Sequence, residues 1–158
     1  MTKKIYLGAD HAGFDLKEKI KVWLDLEKIA YDDCGNTAYN SDDDYPYFAE
    51  KVARKVVKNN GLGLLACGSA EGICMAANKL RGARAVNPHD LAQVKVSREH
   101  NDANILCLAG GGMLKPQPGI SLSKAKKMIW TFLNTPFSGA ARHQRRIQKI
   151  ALLEKKQG

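Results

Sequence analysis

Short apolar runs alternate with apolar stripes at helical spacing along most of the chain. Ile5, Tyr6, Leu7, Gly8 and Ala9 form an unbroken run that predicts a strand, and Leu16, Ile20, Trp23 and Leu24 then mark one face of a helix. A second strand is expected to begin at Ile29, Ala30 and Tyr31. A second helix follows from Phe48, Ala49, Val52, Ala53 and Val56 and stops at Asn59, Asn60 and Gly61, residue types that tolerate the left-handed conformation. Residues 62–66 read as a buried strand, 72–80 as a helix, 83–86 as a strand, 90–99 as a helix and 104–109 as a fifth strand. Ser121 can cap a further helix striped by Leu122, Ala125, Ile129, Phe132 and Leu133. Pro136 and Gly139 break the chain before a basic helix at about 143–156.

Strands that are apolar on both faces and alternate with helices belong to a parallel sheet covered on both sides. The expected fold is therefore α/β: a three-layer α/β/α arrangement around a Rossmann-like five-stranded parallel sheet, with a C-terminal helical extension. The 158 residues fit a single domain spanning 1–158. A chain with 44% hydrophobic and 26% charged residues is neither disordered nor fibrous in composition. The start of the chain runs straight into a strand without a signal-peptide core, and no apolar run is long enough to span a membrane, so a cytoplasmic location is expected.

Charge changes the picture more than composition does. The net charge of +9 suggests an anionic partner, but residues 1–50 carry 6 basic and 11 acidic side chains, whereas residues 115–158 carry 10 basic and 1 acidic. A nucleic-acid groove would more often spread its cations and interleave aromatic residues, which make up only 7% here. Nucleic acid is thus a disfavoured partner. The cysteines Cys34, Cys67, Cys74 and Cys107 form no C-x-x-C pair and have no histidine at zinc-ligand spacing, which argues against a disulfide framework or a structural metal.

Ligands of open parallel sheets bind beyond the carboxyl ends of the strands. There the sequence places Asp10 and His11 after strand one, and Cys67, Gly68, Ser69, Ala70, Glu71 and Gly72 after strand three. The latter segment is a glycine turn entering a helix, where backbone N–H groups and the helix dipole favour an anion. It is neither a Walker motif nor a dinucleotide fingerprint, so cofactor binding is disfavoured. The same dipole would lower the pKa of a thiol at Cys67 and make it a base or nucleophile; the plain alternative is a strand-end core residue. Asp10 beside His11 can orient a hydroxyl or move a proton, or can be a cap and a surface imidazole. His100, Asn101 and Asp102 fall near the entry to strand five. Arg142, Arg145 and Arg146 stand three to four residues apart, suiting a phosphate or a solvated basic face.

Six blocks in order carry a family resemblance: Gly8 to Phe14, Asp44-Tyr45-Pro46, Cys67 to Gly72, Ala76 to Lys79, Ser97 to Asp102, and Arg142 to Arg146. Over most of its length the sequence resembles the type B ribose-5-phosphate isomerases, whose superfamily includes galactose-6-phosphate isomerase subunits. The resemblance implies a phosphosugar isomerase that needs no metal or organic cofactor and works through a cis-enediolate, as a homodimer with shared sites or as a tetramer. Cys67 would be the base and His100 the acid that opens the furanose ring. Asp10 and His11 would bind the sugar, with Gly68, Ser69, Ala70, Glu71, Gly72 and Asn101 around its reacting end. Arg142 and Arg146, on a basic helix exchanged against the partner subunit, would hold the phosphate. Gly111 stands where relatives carry a phosphate-contacting arginine, so Lys115 or Arg145 is expected to replace it, and the segment 115–119 to reshape the site. Ile73 stands where another branch has a catalytic glutamate, and Glu71 is expected to oppose thiolate formation at Cys67. Alternatives are an isomerase of allose 6-phosphate or galactose 6-phosphate, and a degenerate basic nucleic-acid-binding protein.

Overall fold

A computed structural model describes residues 3–111 and 119–156. Five strands, β1 (Ile5–Ala9), β2 (Tyr31–Asp33), β3 (Leu62–Cys67), β4 (Ala85–Val86) and β5 (Ile105–Ala109), form one parallel sheet in the order β2-β1-β3-β5-β4. The helices are α1 (Phe14–Leu26), α2 (Tyr45–Asn59), α3 (Glu71–Ala77), α4 (Leu91–Asn101), α5 (Leu122–Asn134) and α6 (Ala141–Lys156).

Alternation along the strands divides the core into two layers. Ile5, Leu7, Leu64, Ala66, Leu106 and Leu108 pack with the buried stripes of α1 and α5. Tyr6, Leu65, Cys67, Ile105 and Cys107 point the other way, onto Val52 and Val56 of α2 and Ile73 of α3. This is the three-layer arrangement expected from runs apolar on both faces. The edge strand β2 departs from that expectation: its residues are all half-buried, and it starts at Tyr31, two residues later than the apolar run suggests. An edge strand needs no second apolar face, and Asp33 here serves a different end. Its carboxylate meets Lys17 Nζ at 2.8 Å and Lys21 Nζ at 2.8 Å. Burial alone would raise the pKa of Asp33, but the two ammonium groups outweigh it and hold the carboxyl below its usual range.

The local stops are chemical. Asn60 ends α2 at φ 49°, Asp90 caps α4 by accepting from Gln93 N–H at 2.8 Å, and Ser121 caps α5 by accepting from Lys124 N–H at 3.2 Å. Helix α3 is shorter than expected, ending at Ala77, and β4 contains only two residues. Asn78 accounts for both: its side chain donates to Ala85 O at 2.9 Å and accepts from Ala85 N–H at 2.8 Å, so the chain turns where the helix would have continued. Helix α6 begins two residues before the basic cluster suggests. It lies against α4, and Glu154 near its far end accepts from Gly82 N–H at 3.1 Å.

Candidate functional site

From β1 the chain goes out to β2 and returns across the sheet to β3, on opposite faces, so the crevice at the carboxyl ends of β1 and β3 is the topological switch point. Asp10, His11 and Cys67 meet there. Asp10 is only 2% exposed and accepts from Gly13 N–H at 3.0 Å. Burial raises its pKa, with Asp43 adding to the rise and the Gly13 N–H and His11 opposing it. His11 sits beside Asp43, whose Oδ1 lies 2.9 Å from Nδ1 and accepts the His11 backbone N–H at 2.7 Å. Asp10, His11 and Asp43 bring three possible metal-ligand atoms within 4.8 Å of one another. Within this group His11 and Asp43 are hydrogen-bonded to each other, and Asp10 accepts from Gly13 N–H.

Cys67 is the last residue of β3 and is buried. The expectation of a lowered pKa is corrected by its surroundings: burial dominates and pushes the thiol up, and the carboxylate of Asp10 adds to the rise. The backbone N–H groups of Ile73, Ala70 and Ser69 oppose this rise. Glu71 is also different from expectation. It is exposed and accepts from Asn87 Nδ2 at 2.9 Å, so the carboxylate that weighs on Cys67 is Asp10. Ser69 Oγ accepts from Glu71 N–H at 3.3 Å and shapes the turn. Gly72 lies close under Tyr45: a Cβ there would come within 2.7 Å of the ring's far end, which would have to shift. A cavity of about 770 Å³ opens on the β5 side of this turn, lined in part by Gly68, Ser69, Glu71, Asn87 and Lys124, but not by Cys67, Asp10 or His11.

The remaining candidates lie at the other end of the sheet. His100 and Asn101 are in the last turn of α4, and the chain then enters β5 at Ile105. Ile105 pairs with Gly63, whereas Cys67 pairs with Ala109, so the two groups are separated by roughly 13 Å of strand rise. His100 stacks on His143 of α6 at 4.2 Å between ring centroids. His143 is buried, with Ser138 Oγ 2.7 Å from Nδ1 and Arg142 Nε donating to Nε2 at 3.1 Å. Since Nε2 accepts, Nδ1 bears the proton and donates to Ser138. Desolvation lowers the pKa of His143, and His100, Arg142 and Arg146 lower it further. Arg142, Arg145 and Arg146 are exposed.

Within one chain, then, Asp10, His11, Cys67 and the turn 68–72 converge, and His100, Asn101 and Arg142 form a separate group. Gly111 belongs with the first. It is buried, has φ 84°, and donates to Gly68 O at 3.0 Å, so the backbone conformation there favours glycine. Lys115 and most of the 115–119 segment lie outside the described residues. Sequence reasoning missed Asp43, Asn36 and the burial of His143. The signal for Asp43 was the acidic run Asp42, Asp43 and Asp44 before α2; nothing marked Asn36.

The fold defines a three-layer α/β/α protein with a crevice at the β1/β3 switch point. The Ribose/Galactose Isomerase family model matches residues 5–150. A ribose-5-phosphate isomerase B of Mycolicibacterium paratuberculosis is 37% identical over 153 residues, covering 96% of this chain and 92% of that protein. The ribose-5-phosphate isomerase B of Mycoplasma genitalium, solved with bound ribulose 5-phosphate, superposes with a TM-score of 0.88 at 38% identity, covering 99% of each chain. The type B ribose 5-phosphate isomerase of Trypanosoma cruzi does so with a TM-score of 0.88 at 37% identity over 100% of both chains. The chain belongs to the ribose/galactose isomerase family and is an isomerase. No helix among the described residues is long and apolar enough to cross a membrane.

Proposed function

We propose that the chain interconverts ribose 5-phosphate and ribulose 5-phosphate in a site assembled from two copies. The observation that carries this reading is the division of the groups: a buried thiol beside a glycine turn at one end of the sheet, and a histidine with exposed arginines at the other. Aldose-ketose isomerisation needs all of them together. Cys67, as thiolate, takes the proton from C2 of the open-chain aldose and returns it to C1, while the hydroxyl proton moves between O2 and O1 and no atom is gained or lost. Ser69, Ala70 and Ile73 N–H groups stabilise the thiolate. Asp10 and His11 hold the sugar, and the turn 68–72 borders its reacting end. From the second copy, His100 opens the ring, Asn101 flanks it, and Arg142 and Arg146 grip the phosphate. Helix α6 leaves Leu152 and Leu153 exposed beside these cations, a surface suited to contact with that copy.

Ribulose 5-phosphate formation by wild type and Cys67→Ala tests the chemistry. The variant is expected to lose about a thousandfold in kcat, the scale of a missing general base; near-normal turnover removes Cys67 from that role. Because burial holds the thiol protonated, wild-type kcat/KM is expected to climb from pH 7 to 9. Allose 6-phosphate and galactose 6-phosphate, assayed in parallel, decide the substrate.

A further inference from the structure

The segment between β2 and α2 has no helix or strand, yet it buries one carboxylate. The Asp43 side chain is only 7% exposed. Its Oδ1 serves both the backbone N–H and Nδ1 of His11, and its Oδ2 accepts from Asn36 Nδ2. Asn36 is tied in turn to the core, its carbonyl accepting from buried Lys17 Nζ at 2.9 Å. The ring of Tyr39 stands edge-on to His11 at 6.4 Å.

A carboxylate can only accept, so the His11 nitrogen facing Asp43 carries a proton, and Nε2 is the nitrogen left for a ligand. We propose that Asp43 is a positioning residue for His11, fixing its tautomer and ring direction so that Nε2 meets an oxygen of the phosphosugar, with Asn36 and Lys17 holding Asp43 in place. This rests on the reading of His11 as a sugar-binding group. The charges facing His11 act in the same direction. Asp43, from the segment before α2, raises its pKa most, and Asp10, from the end of β1, adds to that against the opposing effect of burial. At neutral pH a larger share of His11 is thus the imidazolium, whose Nε2–H donates to substrate.

The test compares Asp43→Asn with wild type by histidine-ring NMR and by kinetics on ribose 5-phosphate. In wild type the His11 ring is expected to bear its proton on Nδ1 when neutral and to titrate above its ordinary value of 6.5. In Asp43→Asn the titration moves down, KM rises about tenfold and kcat changes by less than about threefold, as expected for a lost charge-assisted hydrogen bond that acts in binding. Asp43→Glu, which keeps the charge, recovers part of the KM. Unchanged His11 titration and tautomer in folded Asp43→Asn would overturn the positioning role. A His11→Gln variant with wild-type KM would instead overturn the sugar-binding reading beneath it, and the NMR result distinguishes the two failures.

Discussion

The two ends of the sheet hold histidines in opposite states. At the carboxyl end, His11 faces Asp43 and Asp10 and is pushed toward the cation. At the amino end, His143 is buried under His100, accepts a hydrogen bond from Arg142, and is pushed toward the neutral form. The same side chain is thus biased toward the cation where its neighbours are acidic and toward the neutral form where they are basic. The local charge follows the sequence at these two points, since His11 lies among the acidic first fifty residues and His143 among the basic last forty-four. In the proposed site, part of the positive sum, Arg142 and Arg146, serves a single small phosphate and not a polyanion.

The strongest challenge to this division is complementation. Cys67→Ala and His100→Asn, each nearly inactive alone, are expected on co-refolding to recover up to about a quarter of wild-type turnover, because half of randomly paired twofold dimers carry one intact site. No recovery at all, with dimers formed, would place all the groups in one copy. A smaller effect separates the histidines by pH. His143 has a lowered pKa in the fold, so the unfolded chain binds more protons below about pH 6.5 and stability falls on acidification; His143→Gln should flatten that limb. His11 has a raised pKa, so its contribution is full below about pH 6.5 and is lost as pH rises through the folded value; His11→Gln should flatten the alkaline limb instead. Thermal midpoints between pH 5 and 9 read both, and limbs of the same sign would dissolve the contrast. The smallest effect is expected at Glu71→Gln, less than about threefold in kcat/KM, since an exposed carboxylate bonded to Asn87 contributes little at Cys67. A large loss would mean that Glu71 turns inward during turnover.

What was legible in the sequence followed burial. Strands β1, β3 and β5 sit at the centre of the sheet, and their apolar runs name them; β2, at the edge, is defined by pairing with β1 and by Asp33, which hydropathy does not mark. The Cys67 turn could be found because strand, glycine turn and helix follow one another in the chain. Its pKa could not, because burial opposes the helix N-terminus and only the packed structure shows which prevails. Asp43 and His11 are 32 residues apart and share no periodicity. His143 was read within a basic run, yet it is the buried member between exposed arginines. No pattern of residue types distinguishes such a position from its neighbours.

Buried Lys17 binds two parts of the molecule that otherwise have little in common. Its ammonium joins α1 to Asp33 at the end of β2 and to the Asn36 carbonyl, beneath the ring of Phe14 at 5.3 Å. Pulling the 34–43 segment away would take the Asn36 carbonyl from this buried ammonium and leave it with Asp33 and Glu18. That contact opposes local opening of the segment that holds His11. The Gly35 amide, which donates to Asp33 Oδ1 at 3.0 Å, should exchange with solvent hydrogen more slowly than the amides of an untethered loop.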